Sequence, residues 1–155
     1  MFSVTVKAET LHMRQGSGTR NNHPRIQLYL STDNNLSEID KLPDEIAWCS
    51  CFMSWCTDQR NIVGTDAAWA KSSGNWRTAV LADHAQAGDI VVFDRKSTTG
   101  SGAHVGIFMT FDRSKENVRV LGVNQSNAVR YTWYPVDGQT SETHYKVLSL
   151  RRSDV

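Results

Sequence analysis

The chain has 155 residues, 39% of them hydrophobic and 21% charged, which is the composition of one ordinary globular domain and leaves no room for a second full one. Seventeen Lys and Arg against sixteen Asp and Glu give a formal net charge of +1 with no long block of either sign, so nucleic acid is excluded as an expected partner. No segment approaches the roughly 20 apolar residues that cross a bilayer, so no membrane partner is expected, and a monomer is the expected state.

The opening Met1-Phe2-Ser3-Val4-Thr5-Val6-Lys7 alternates apolar and polar residues as a strand does. It lacks the basic segment, apolar run and small-residue cleavage site of a secretory signal, so synthesis in the cytoplasm without a signal peptide is expected. Residues 1–20 read as an N-terminal extension, a strand that turns at Gly16-Ser17-Gly18, and residues 21–155 as the main domain. After the linker Arg20-Asn21-Asn22-His23-Pro24, the apolar Ile26, Leu28 and Leu30 around Tyr29 predict a short helix, ended by the polar loop Ser31-Thr32-Asp33-Asn34-Asn35. Leu36–Leu42 adds a helical turn.

The clearest element runs from Leu42 to Cys56. Pro43, Asp44 and Glu45 are helix-start signals, and Cys49, Phe52, Met53 and Cys56 recur at i, i+3, i+4, i+7 along one face, which places Cys49 near a helix N-terminus. Thr65–Lys71 predicts a second short helix stopped by Ser72-Ser73-Gly74. From there the texture is that of strands, over Asp89–Phe93, Ala103–Phe111, Val118–Val123 and Tyr145–Leu150, separated by Gly, Ser, Asp and Asn clusters. Helices first and strands after is an α+β pattern, and the expected architecture is an antiparallel sheet with helices on one face and Val91, Val105, Ile107 and Val120 in the core.

The three cysteines, Cys49, Cys51 and Cys56, share one short stretch and cannot cross-link the fold. Cys49 and Cys51 are too close in sequence for zinc-ligand spacing, and no His pair stands near them, so no metal and no other cofactor is expected. A thiol becomes nucleophilic when its thiolate is stabilised, which a helix N-terminus and a neighbouring imidazolium both do. Cys49 meets the first condition by position. His104 is the best of the five histidines for the second, because it opens an apolar strand after Gly102-Ala103 and a strand end holds a ring rigidly. The other ring nitrogen needs an acceptor, and Asn124 at the end of the next strand is the first choice, with Gln125 as the alternative or as a group near an oxyanion. Cys51 and Cys56 are expected to pack, and His12, His23, His84 and His144 to be exposed without a role. Trp48, beside the thiol, is the aromatic expected to contact substrate, while Trp55, Trp69, Trp76 and Trp133 are assigned to the core.

Asp44-Glu45-Ile46-Ala47-Trp48-Cys49-Ser50-Cys51-Phe52-Met53-Ser54-Trp55-Cys56 resembles the nucleophile helix of a bacterial and phage cell-wall hydrolase family related to the NlpC-like and CHAP-type peptidases. Four further segments agree with that family in order: Pro24-Arg25-Ile26 with Tyr29-Leu30, Gly88-Asp89-Ile90-Val91-Val92-Phe93, His104-Val105-Gly106-Ile107, and Val120-Leu121-Gly122-Val123-Asn124-Gln125-Ser126-Asn127. Cys51 replaces a residue that is usually small and not a thiol, and Val123 stands where the family often has Gly. Val4–Thr19 is similar to the opening of a bacterial Src-homology-like wall-binding module, of which only the first strand and turn are present.

The resemblance implies a papain-like fold, with the nucleophile helix packed on the antiparallel sheet. It also implies cleavage of an amide bond in the peptidoglycan stem, with Cys49 and His104 as the catalytic pair and Asn124 as the third polar position. Its implied partner is a muropeptide substrate, joined by an immunity protein if the chain is an injected effector. Action in the periplasm or cell wall then follows lysis, as for a phage endolysin, or delivery by a secretion system. Two other readings stay open at this point: a catalytically inactive wall-binding module, and a thiol acyltransferase on a non-wall substrate.

Overall fold

The computed structural model describes residues 24–32, 48–98, 100–125 and 128–153. The expected extension over 1–20, the turn over Leu36–Leu42 and the start signals Pro43, Asp44 and Glu45 lie outside the described residues.

Helix α1 spans Pro24–Leu30 and starts on a proline, whose fixed φ and missing N–H suit a first helical position. At its other end Ser31 Oγ donates to the Leu28 carbonyl at 2.8 Å and Thr32 Oγ1 to the Tyr29 carbonyl at 2.7 Å. Helix α2 spans Cys49–Asp58, so Cys49 is itself the first helical residue. The expected single apolar face understates its burial, since Ser50, Cys51, Ser54 and Thr57 are buried too. Their small size permits close approach, and their hydroxyls find carbonyls: Ser50 Oγ donates to Ala67 at 2.6 Å and Thr57 Oγ1 to Ser54 at 2.8 Å. The two helices meet through Tyr29, whose ring stacks on Trp48 at 5.9 Å and touches Phe52 and Trp55 at 5.2 Å each.

The second predicted helix is displaced. Thr65–Ala67 is irregular, and a 3₁₀ helix instead occupies Ala70–Asn75, running through the Ser72-Ser73-Gly74 expected to stop it. A tight 3₁₀ turn tolerates the small polar residues that disfavour an α-helix interior.

Seven strands are described: β1 Thr78–Val80, β2 Ile90–Ser97, β3 Gly100–Asp112, β4 Asn117–Gly122, β5 Arg130–Pro135, β6 Asp137–Thr140 and β7 Thr143–Arg152. They form one antiparallel sheet in the order β1-β7-β2-β3-β4-β5, with β6 paired to β7. The α+β class with an antiparallel sheet is as expected. The covering of the sheet is not, because the anticipated core residues divide between its faces. Val105 and Ile107 pack against α1 and α2, whereas Val91 and Val120 belong to a second cluster with Phe93, Phe108 and Tyr134. The sheet closes over that second face itself: Tyr134 of β5 reaches Phe93 of β2 at 5.1 Å and Tyr145 of β7 at 4.7 Å. Irregular register at Val92/Phe93 and at Phe108/Thr110 adds the local bend and twist this needs. The start of β2 is tied to the end of β7 by Asp89, whose buried carboxylate takes both Nε and Nη2 of Arg152 at 2.7 Å.

Candidate active site

Cys49 sits where α2 begins, among peptide N–H groups that have no partner inside the helix. The backbone N–H groups of Val105, Ser50 and Cys49 itself act on its sulfur to favour negative charge there, as does the nearby cation of Arg95. Burial outweighs them all. Cys49 is 4% exposed, and desolvation pushes its thiol above the ordinary range. The helix start is thus the right position, but it does not ionise the sulfur in this state. Cys51 and Cys56 are buried packing residues, the thiol of Cys56 pushed up to about 12 by desolvation.

The N–H of Val105 belongs to the peptide bond that joins it to His104, so the sulfur lies against the backbone of the strand end that carries the imidazole. Alternation along β3 turns Val105 toward the helices and His104 toward the other face. There the His104 ring lies 6.3 Å from its cross-strand partner Phe93 and 5.6 Å from Tyr134. His104 is 5% exposed; desolvation, helped by Arg95, lowers its pKa to about 4, while Gln125 acts in the opposite direction. Its Nε2 is buried without a hydrogen-bond partner, so it makes no bond to Cys49 Sγ here.

Of the two carboxamides weighed in the sequence, Gln125 is the one that faces the imidazole. It is 3% exposed, its Nε2 donates to the carbonyl of Arg130, and its side chain raises the proton affinity of His104. The approach stops short of a closed hydrogen bond, since Gln125 Oε1 is buried and unpartnered, as His104 Nε2 is. Gly122 makes room for it: a Cβ there would meet the Gln125 carboxamide at 3.1 Å. Asn124 stands in the left-handed region at φ 54°, half-buried, and its side chain makes no hydrogen bond among the described residues. Of the two, the structure sets Gln125 and not Asn124 against the His104 imidazole.

Trp48, the aromatic expected to contact substrate, is buried. Its exposure is 0% and its indole is stacked on Tyr29, so it packs the helix pair. Trp69, assigned to the core, is instead 66% exposed. His84 is exposed, and His144 lies 3.1 Å from Asp137. The group that sequence reasoning missed is Arg95. It lies two residues beyond Phe93 on the same face of β2, above Gly102, and acts on Cys49, His104 and Tyr134 alike. Strand alternation counted from Phe93 is the signal that finds it.

A thiol at a helix start, set against the strand end that bears a buried imidazole in an α+β frame, defines a class of protein with the parts of thiol-dependent acyl chemistry. The chain belongs to the CHAP domain family, whose model matches residues 41–124, more than half its length. CHAP domains are, in general, peptidoglycan hydrolases and amidases, with peptidoglycan as substrate. No curated protein and no solved structure matches the chain.

Proposed function

We propose that the chain is a cysteine-dependent hydrolase that cuts an amide bond in the peptide stem of peptidoglycan. Its arrangement is papain-like, the first turn of α2 presenting Cys49 beside the strand end that carries His104. The observation that carries this reading is the Val105 N–H acting on the sulfur of Cys49, the first residue of α2, in a chain of the CHAP family. The reading places its action at the cell wall and requires no cofactor.

At rest both groups are held neutral by burial, the thiol protonated and the imidazole unprotonated. When a substrate opens the site, the His104 ring turns around the strand end toward Cys49, and Nδ1 takes the proton from Sγ as the sulfur attacks the scissile carbonyl carbon. The imidazolium so formed donates Nε2–H to Gln125 Oε1, which joins the two buried orphan atoms and fixes the ring. Peptide N–H groups at the start of α2 hold the oxyanion. Collapse breaks the C–N bond, and the leaving amine carries away the imidazole proton. Water, deprotonated by His104, then attacks the thioester and releases the carboxylate and the free thiol.

Replacing Cys49 by Ala is expected to abolish release of fragments from purified sacculi while leaving the far-UV circular dichroism unchanged, and Cys56→Ala to keep most of the activity. Undiminished digestion by the Cys49 variant would refute the proposal.

A further inference from the structure

A loop over 65–71 bridges the two halves of the site. Near its start, the Ala67 carbonyl accepts the hydroxyl of Ser50, the residue after Cys49, at 2.6 Å. At its end, Lys71 Nζ lies 3.3 Å from Asp94, the cross-strand partner of Ala103, which precedes His104. Ser72 Oγ donates to Thr65 Oγ1 at 3.0 Å and the Ser72 N–H to the Trp69 carbonyl at 2.9 Å, so the loop is also tied across itself. Ala68 packs against the helix-side core and Ala70 is buried in it. Trp69 stands between these two anchors, two residues and at most about 7 Å of chain from the residue bonded to Ser50.

The one large apolar side chain of this tied loop is turned outward, 66% exposed, and belongs to neither core cluster. Exposing an indole forgoes burial worth about 2 kcal/mol or more, and the packed Ala68 and Ala70 on either side hold the backbone that presents it. A pre-ordered aromatic face also binds without the entropy cost of fixing a mobile side chain.

We propose that Trp69, exposed on the loop tied to both halves of the site, stacks on an amino-sugar ring of the glycan. This rests on the peptidoglycan reading above. A peptidoglycan stem is built of alanine, glutamate and diamino acids, whose side chains are small or charged. The sugar alone offers a flat face of C–H groups matching an indole, with its hydroxyls and acetamido group left at the rim for water and polar neighbours. Trp69 is therefore a binding residue, and the chain reads a stem attached to its glycan in preference to a free stem.

The test measures binding by calorimetry, with Cys49→Ala as the background so that no turnover intervenes. The probes are a disaccharide-tetrapeptide muropeptide and the same tetrapeptide without sugar. Adding Trp69→Ala is expected to weaken muropeptide binding by about tenfold and to leave free-peptide binding within about twofold. Trp69→Phe is expected to restore most of the lost affinity. Equal weakening toward both probes, unchanged muropeptide binding, or no binding of the muropeptide to the Cys49→Ala protein would each overturn the proposal. A Trp69-dependent preference for the muropeptide in a chain whose wild type digests no sacculi would sink the hydrolase and spare the sugar site.

Discussion

The protonation of Cys49 at rest decides how its reactivity depends on pH. Desolvation pushes its thiol above the ordinary range, so at neutral pH it rests as the thiol. A preformed thiolate–imidazolium pair would behave differently, being fully ionised from about pH 5 to 8. The neutral pair therefore predicts an alkylation rate that climbs tenfold per pH unit, about a thousandfold between pH 5 and pH 8, where the ion pair predicts a plateau. Burial of the sulfur slows both cases by the same opening step and leaves the slope untouched. The assay is the rate of iodoacetamide modification at Cys49, followed by peptide mass spectrometry, with buried Cys56 as an internal reference. A flat profile from pH 5 to 8 would show that the ion pair exists at rest, and that the N–H groups and Arg95 win over desolvation.

Two further predictions concern stability. His104 is held neutral in the folded state down to about pH 4, whereas the unfolded chain takes up its proton near 6.5. The unfolded state thus binds more protons as pH falls, and His104 costs nothing above 6.5 but up to about 3 kcal/mol by pH 4. His104→Phe keeps the ring and removes this slope, so urea midpoints of wild type and variant should diverge between pH 7 and pH 4.5; parallel curves would contradict the burial argument. Gly106, two residues along β3, has no space for a side chain, since a Cβ would lie 2.5 Å from Val120 Cγ1 and 3.0 Å from the Leu121 carbonyl. Gly106→Ala should lower stability by about 1–3 kcal/mol, and adding Val120→Ala should reduce that penalty in a double-mutant cycle.

What the sequence made legible follows from what local pattern encodes. Cys49, Phe52, Met53 and Cys56 repeat at helical spacing, and the four apolar strands carry their period, so these elements stand near where they were expected. Their ends are longer than the apolar runs, because strand pairing carries β2 on through Asp94–Ser97 and β7 on to Arg152. β1, β5 and β6 were missed. Thr78–Val80 and Asp137–Thr140 hold too few apolar residues to show a period, and they exist because β7 offers them hydrogen-bonding edges. The fate of Trp69 and Trp48 was illegible for a related reason. Exposure of an aromatic depends on which loop is pinned where, and the Ser50–Ala67 and Lys71–Asp94 ties join residues distant in the chain. Asn124 and Gln125 are chemically near-equivalent in sequence, and which of them lies against His104 depends on the backbone path after β4, where Asn124 takes a left-handed φ.

The electrostatics of the site separate two kinds of neighbour. Arg95 lowers the proton affinity of Cys49 and of His104 together, so its effects on moving a proton from sulfur to nitrogen oppose one another. Gln125 acts on the imidazole, and the N–H groups of Val105, Ser50 and Cys49 act on the sulfur; both push that transfer forward. Hydrogen bonds, not the nearby cation, therefore set the reactivity of the pair. Arg95→Gln is accordingly expected to shift both limbs of the pH–activity profile upward while leaving its maximum within about twofold. Gln125→Leu should lower the maximum by about tenfold or more, since it strands the imidazolium N–H without an acceptor in a buried site. Loss of the maximum with Arg95→Gln, and its retention with Gln125→Leu, would reverse this division of roles.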